Sequence, residues 1–239
     1  MTSSRLRRRK LSEPTIARLP VYQRIVEEWI GQGRIRIDSA QLGELAGVTA
    51  TTVRRDLAGL GTLGTRGAGY DVALLHACIG EALGHDQHCD VIVIGLGNLG
   101  RALVNSSSFL TRGARLIGLY DADPLIIGTV IDGHVVRAID ELLPAAAVAV
   151  ICVPASAAQD VADRCVQAGI HALLNFAPQV LTVPLGTAVH DVDLSIELQV
   201  LLYHLHNGTG PLGGGLLHAL ARGDAPGSRS APTLEGPCR

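Results

Sequence analysis

The sequence predicts an α/β protein in two parts, a small helical domain followed by a doubly wound parallel sheet. Three observations predict it. The hydrophobic period is helical from Pro14 to Tyr70. It changes after Cys89 to a continuous apolar run, Val91-Ile92-Val93-Ile94, of the kind required by a strand buried on both faces. That run opens directly into Gly95-Leu96-Gly97-Asn98-Leu99-Gly100 and a helical segment. At 239 residues the chain is long enough for one large domain or two small ones.

Composition narrows the function. Apolar residues make up 47% and charged residues 18%, which excludes wholesale disorder. Aromatics are only 3%, so rows of rings stacking unpaired bases are excluded as a binding mode. The net charge of −2 is unevenly spread: residues 1–70 carry twelve Lys and Arg against six Asp and Glu, and the remainder carries eight against sixteen. A basic front half fits contact with a polyanion, although five of its charges lie in Arg5 to Lys10, where a solvated leader would serve equally well. Cys78, Cys89, Cys152, Cys165 and Cys238 are odd in number and form no C-x-x-C, which points to a reducing cytoplasm rather than a disulfide framework or zinc site. No apolar core follows the charges of the leader, so it is not a signal peptide. Leu142 to Gln159 is free of charge for 18 residues, but Pro144 and Pro154 interrupt it, and a short strand between turns accounts for it better than a membrane span.

The helical part begins, on this pattern, with a helix from Val21 to Gln32 burying Val21, Ile25, Trp29 and Ile30, and ended by Gly31 and Gly33. A second helix starts near Asp38 or Ser39. Asp38 with Gln41 three residues later is a capping-box variant, and Leu42, Leu45 and Ala46 form the expected buried face. Gly47-Val48-Thr49 breaks that helix tightly, with Val48 expected to be buried between the two helices. A third helix runs from about Ala50 to Leu60 and buries Val53 and Leu57. Helix, short glycine turn and helix is the helix-turn-helix layout, in which the N-terminal half of the second helix faces base edges. Here that half offers Thr49, Thr51, Thr52, Arg54 and Arg55, side chains that reach phosphates and guanine edges. A small three-helix domain with a solvated charged face is the plainer alternative. Gly64-Thr65-Arg66-Gly67-Ala68-Gly69-Tyr70 is narrow enough for a wing that would let Arg66 enter a minor groove, or for a plain linker. A connecting helix is expected over residues 71–88, with His76, His85 and His88 on its surface.

In the sheet part, each glycine of the G-x-G-x-x-G turn has a physical task. The first permits the turn, the second lets backbone N–H groups approach a pyrophosphate, and the third lets helix and strand pack closely. Gly95, Leu96, Gly97, Asn98, Leu99 and Gly100 are therefore candidate cofactor-binding residues in a Rossmann-type sheet. The next strand, Arg115 to Tyr120, ends in Asp121, placed to accept both ribose hydroxyls of an adenosine and to repel a 2′-phosphate, which favours NAD(H) over NADP(H). Asp123-Pro124 turns the chain. Further strands are expected at Ala147 to Val153 and Ala172 to Asn175, joined by a helix Ser156–Ala168, with Asn175-Phe176-Ala177-Pro178 as a loop at the carboxyl edge. Val192 to His206 is a helix apolar on too many sides to stand alone, so something covers it, another subunit being one candidate. The tail is rich in Gly, Pro and Ser.

Taken together, R-L-P-V-Y-Q-R (18–24), V-R-R-D-L (53–57), G-T-R-G-A-G-Y (64–70), G-L-G-N-L-G (95–100), Y-D-A-D-P (120–124), I-C-V-P (151–154), L-L-N-F-A-P (173–178) and V-D-L-S-I-E-L-Q (192–199) resemble, in this order, the Rex-type redox-sensing transcriptional repressors. The resemblance covers about residues 14–206. It implies a homodimer of winged-helix and Rossmann domains, with a C-terminal helix swapped between subunits. It also implies that the protein binds double-stranded operator DNA with inverted-repeat symmetry and releases it when NADH rises relative to NAD+. The implied organisation is a basic leader (1–13) expected to be disordered, a winged-helix domain with its connecting helix (14–84), an NAD(H)-binding Rossmann domain (85–190), an exchanged helix (191–206) and a disordered tail (207–239). Arg54, Arg55 and the threonines become the DNA readers, Arg66 the wing contact, and Arg24 and Asp193 a pair between the DNA-binding domain and the exchanged helix. The chain departs from the family where many members have a tyrosine: Ser106 stands there, so a phenol contact to the switch carboxylate is absent. Leu194 replaces a phenylalanine found in some members near the nicotinamide.

Two other classes compete with a DNA-binding sensor. A dehydrogenase needs a proton donor or acceptor beside the nicotinamide. Lysine is absent after Lys10, His171 and His190 have no carboxylate at a recognisable catalytic spacing, and no chain is left for a substrate domain, so the protein is expected not to be an enzyme. A CoA- or nucleotide-binding structural subunit would share the sheet but leaves the helix-turn-helix and wing unexplained.

Overall fold

The computed structural model describes residues 11–61, 64, 68–106, 109–110, 113–142 and 146–207. The chain divides into two compact units, Met1–Ile79 with Val200–Arg239 and Gly80–Gln199. The expected leader, the wing arginine Arg66 and the tail beyond residue 207 lie outside the described residues.

In the first unit, α1 (Glu13–Gly31) starts where the Ser12 hydroxyl accepts the Thr15 N–H at 3.4 Å. Pro14 lies in the first turn, where its missing N–H had no intrahelical acceptor. Both the expected start at Val21 and the expected stripe are corrected. The helix runs through Pro20, and its buried side chains are Thr15, Arg18, Leu19, Tyr22, Gln23, Val26 and Trp29, whereas Val21 and Ile25 are half-buried and Ile30 is exposed. Apolar periodicity misses this face because several of its members are polar groups satisfied internally. Pro20 removes one backbone bond, a loss offset by the burial of Leu19, Tyr22 and Val26 around it.

A short strand β1 (Arg36–Ile37) precedes α2 (Ser39–Ala46). The expected capping box is present: the Asp38 carboxylate accepts the Ala40 and Gln41 N–H groups at 2.8 Å, and the Gln41 side chain accepts the Asp38 N–H at 3.0 Å. Gly47, at φ +67, ends the helix. Leu45 is a correction, exposed instead of buried. The buried face is Leu42, Gly43 and Ala46, because the following turn crosses so close that a Cβ on Gly43 would lie 2.7 Å from the Val48 carbonyl oxygen. Val48, expected to be buried, is only half-buried. Then α3 (Ala50–Gly59) buries Val53 and Leu57, as expected, and also Asp56. Strand β2 (Tyr70–Asp71) pairs antiparallel with β1, Ile37 opposite Tyr70. Gly69, at φ +69, is required there, since a Cβ would meet the Ile37 carbonyl oxygen at 2.5 Å. The helix expected to reach residue 88 is also corrected: α4 (Val72–Ala82) stops short, and the His85 N–H closes back on the Gly80 carbonyl at 2.9 Å before Gly84 turns the chain at φ +79.

The second unit is a seven-stranded sheet. Its elements are β3 (Cys89–Ile94), α5 (Asn98–Val104), β4 (Ala114–Asp121), β5 (Val130–Ile131), β6 (His134–Ala138), β7 (Val148–Ile151), α6 (Ala155–Gln167), β8 (Ala172–Asn175) and β9 (Ala188–Asp191), with α7 (Leu194–Asn207) following. The order is β5-β6-β4-β3-β7-β8-β9, parallel throughout except for β5 at one edge. Strand order reverses at β3, which makes the carboxyl ends of β3 and β7 the switch point of the sheet. Both faces are covered. Val91 and Val93 pack into one cluster with Leu96, Leu119 and Val150, while Ile92 and Ile94 pack into the other with Tyr120, Ile151 and Ile170. Among the described residues, no helix is long and apolar enough to cross a membrane.

Candidate dinucleotide site and nucleic-acid interface

The turn after β3 is shaped by contacts that only glycine tolerates. Gly95 has φ +91, and a Cβ there would sit 2.7 Å from the Cys152 carbonyl oxygen at the end of β7. On Gly100 a Cβ would lie 1.9 Å from the Gly95 carbonyl oxygen, so the third glycine sets the approach of α5 to the strand end. Gly97 differs, because a Cβ on it would meet nothing within 4 Å. Its exposed backbone is the place where a ligand can approach closely. Gly97 caps α5, and the first intrahelical bond runs from the Arg101 N–H to the Gly97 carbonyl at 3.0 Å. The preceding N–H groups, of Asn98, Leu99 and Gly100, have no intrahelical acceptor and form the positive end of the helix. Asn98 and Leu99 are exposed, whereas the Leu96 side chain is fully buried.

Asp121 stands at the end of β4 beside this turn. One of its carboxylate oxygens accepts the Leu96 N–H at 2.6 Å and the other accepts the Asp123 N–H at 2.9 Å. Arg101, which sequence reasoning did not single out, donates from Nε to the Leu96 carbonyl at 2.8 Å. The Leu96 residue is therefore held from both sides by side chains of opposite charge. Asn175 is fully buried at the end of β8. It donates to the Gln179 carbonyl and the Asp191 carboxylate at 2.9 and 2.8 Å and accepts the Ala177 N–H at 3.0 Å. Its N-F-A-P loop is thus tied to β9, a structural role. Burial pushes the Cys152 and Cys165 thiols up to about 12, so both are protonated at neutral pH and poor nucleophiles. Among the described residues, no group of His, Cys, Asp and Glu is arranged to hold a metal ion.

On the helix-turn-helix, the candidate readers divide by their bonding. The Thr49 hydroxyl caps α3, accepting the Thr52 N–H at 3.1 Å and lying 2.9 Å from the Thr52 hydroxyl. Arg54 donates to the Ser39 and Thr51 hydroxyls at 3.0 and 3.1 Å. Arg55 is exposed and makes no hydrogen bond or ion pair among the described residues, which leaves its five donors free for a partner. Behind this surface lies a network missed by the sequence reading. Asp56 accepts Arg18 Nε at 2.6 Å and Nη2 at 2.8 Å, with the Thr15 and Tyr22 hydroxyls each at 2.9 Å. Its hydrogen bonds to Arg18 raise the guanidinium above its ordinary value, and burial drives the Tyr22 phenol upward. The signal for it was Tyr22 and Arg18 on one helical stripe with a lone carboxylate between buried Val53 and Leu57.

Of the two expected switch residues, Arg24 is exposed on α1. Asp193 begins α7, accepting the Ser195 N–H at 2.8 Å and its hydroxyl at 2.6 Å, and these bonds hold its carboxyl below the usual range. Phe109 packs partly buried against the cluster around Val91, and Leu194 is exposed. No residue of α7 is buried, although it carries Leu194, Ile196, Leu198, Leu201, Leu202 and Leu205.

Known proteins agree with this two-part arrangement. Residues 10–58 match a family described as a putative DNA-binding protein N-terminus, and residues 86–179 match one described as a CoA binding domain. The chain is 45% identical over 203 residues to the redox-sensing transcriptional repressor Rex of Streptomyces avermitilis, covering 83% of this chain and 81% of that relative. The crystal structure of RSP in complex with β-NAD+ and operator DNA is similar at a TM-score of 0.77 and 36% identity, covering 83% of this chain and 94% of that one. The complex of RSP with β-NADH aligns at a TM-score of 0.75 and 35% identity, over 83% and 96% of the two chains.

Proposed function

The chain belongs to the Rex family of redox-sensing transcriptional repressors, and from that premise we propose how its own residues bind DNA, bind NADH and couple the two. It is a DNA-binding repressor and not an enzyme. Operator DNA is held when NADH is low and released when NADH binds. The observation that carries this reading is the presence in one chain of an exposed Arg55, unpaired among the described residues, on the second helix of a helix-turn-helix and a glycine turn in which the open Gly97 follows Leu96, whose N–H is bound by the Asp121 carboxylate.

Within the Gly95–Gly100 turn, the N–H groups from Gly97 to Gly100 take the pyrophosphate, those of Gly95 and Leu96 hold the turn on the Tyr120 carbonyl and the Asp121 carboxylate, and Asp121 accepts the adenosine ribose hydroxyls through its remaining lone pairs. Arg55 and Arg54 read base edges, Thr51 contacts phosphate, and Thr49 and Thr52 present the helix N-terminus to the backbone. Arg66 is the wing contact. The exposed apolar surface of α7 supports a homodimer in which that helix is exchanged, and a two-fold dimer matches an inverted-repeat operator. Arg24 and Asp193 pair in the DNA-competent form. NADH is preferred over NAD+ because its nicotinamide ring is neutral, and an apolar lining that includes Phe109 and Leu194 penalises the cationic ring. The absence of a C-x-x-C and the DNA-binding role support a cytoplasmic location.

Capture of genomic fragments on the immobilised protein, with and without NADH, tests the reading. A small set of fragments sharing an inverted repeat, lost when NADH is added, is expected. Recovery of unrelated fragments under both conditions would reject it.

A further inference from the structure

Asp56 follows Arg55 directly on α3, and its carboxylate is fully buried. Four hydrogen bonds converge on it, two from Arg18 and one each from Thr15 and Tyr22, all of α1. A carboxylate has about four lone-pair sites, and each is filled here. The spacing of Thr15, Arg18 and Tyr22 places the three donors on one face of α1. The remaining buried contacts of α3 are made by Val53 and Leu57. Apolar contact has no direction and leaves a helix free to rotate or slide, whereas a forked guanidinium–carboxylate pair accepts one geometry. A buried ion pair is often no more stabilising than apolar side chains of the same volume. Stability alone is therefore weak grounds for the pair.

We propose that the Arg18–Asp56 pair sets the rotation of α3 about its own axis, and so positions Arg54 and Arg55 for sequence-specific reading of DNA. This rests on the repressor reading above. A rotation of about 20° displaces a side chain about 6 Å from the helix axis by about 2 Å. A bidentate contact to a base needs its partner held within about 0.5 Å. Arg18 and Asp56 are thus positioning residues that determine specificity without touching DNA.

The combined variant Thr15→Val, Arg18→Met, Tyr22→Phe and Asp56→Leu tests this, since it removes both charges together with the two hydroxyls that bond Asp56 and leaves none of the four buried without a partner. Its melting temperature, its NADH affinity and its affinity for the captured operator duplex and for a scrambled duplex of equal length are measured beside those of the unaltered chain, across a salt series. The expected result is an unchanged or raised melting temperature, unchanged NADH affinity and an unchanged salt slope, with at least a tenfold fall in the ratio of operator to scrambled affinity. A variant that melts and discriminates like the unaltered chain would overturn the proposal. Loss of the folded N-terminal unit would overturn it too, by making the pair a support of the fold. Failure of the unaltered chain to prefer operator over scrambled DNA is a different result, and it would remove the repressor reading itself.

Discussion

Asp121 accepts the Leu96 N–H through one oxygen and the Asp123 N–H through the other, which leaves a lone pair on each for a ribose hydroxyl. Its replacement by alanine therefore removes the proposed ribose contact and loosens the turn proposed to take the pyrophosphate. Asp121→Ala should weaken NADH binding by about 1.5–3 kcal/mol, the worth of hydrogen bonds to a charged group, and should narrow the preference against NADPH. Isothermal titration with both cofactors measures this, and unchanged NADH affinity would contradict the assignment. Gln23 presents the opposite situation. It is buried on α1, and among the described residues neither its amide oxygen nor its amide nitrogen has a hydrogen-bond partner. A buried polar group without partners costs stability, so Gln23→Met should raise the unfolding free energy by about 1–3 kcal/mol in denaturant titration. Asp121 was legible from its distance to the glycine turn. Gln23 and Asp56 were not, because a polar letter in a sequence does not say whether its partners wait inside.

At the scale of elements, the local rules that name an atom held best. Asp38 with Gln41 gave the start of α2, and the glycine turn after Ile94 gave the end of β3. Start signals for α1 were also present in Ser12 and Pro14, but Pro20 reads as a breaker unless the packing around it is known. The β5–β6 hairpin was missed although Asp132 and Gly133, at φ +47 and +76, carry the turn signal between Ile131 and His134, because its two-residue strand β5 is too short for a period. Strand β9 was missed for a related reason: three of its four residues are exposed at the edge of the sheet. The helix α3 and its buried Val53 and Leu57 were read correctly, and the prediction at this scale concerns Arg55. Arg55→Ala should lower operator affinity by about 1–3 kcal/mol with loss of discrimination at one base pair, as expected for a guanine reader. A phosphate contact would instead weaken all sequences evenly and reduce the salt slope by about one. Anisotropy on a panel of single-base operator variants separates the two.

For the whole molecule, the exposed apolar side chains of α7 call for a covering partner. A chain ending at residue 190 should lose its dimer or precipitate, whereas one ending at residue 206 should match the full chain in light scattering. A monomeric full chain would contradict a two-fold mode of operator binding. The coupling of the two sites was legible only through the order of the motifs, since no residue encodes an equilibrium. A ligand shifts two states only through its differential affinity for them, and the effect is reciprocal: NADH must weaken operator binding by the factor by which operator weakens NADH binding, typically 5–150-fold. The most direct measurement is anisotropy of a labelled operator titrated with NADH and, separately, with NAD+. Release by NADH at concentrations where NAD+ leaves the complex intact is the expected result. Equal operator affinity with and without saturating NADH would contradict redox sensing, and equal release by both cofactors would leave a nucleotide-responsive repressor blind to redox state.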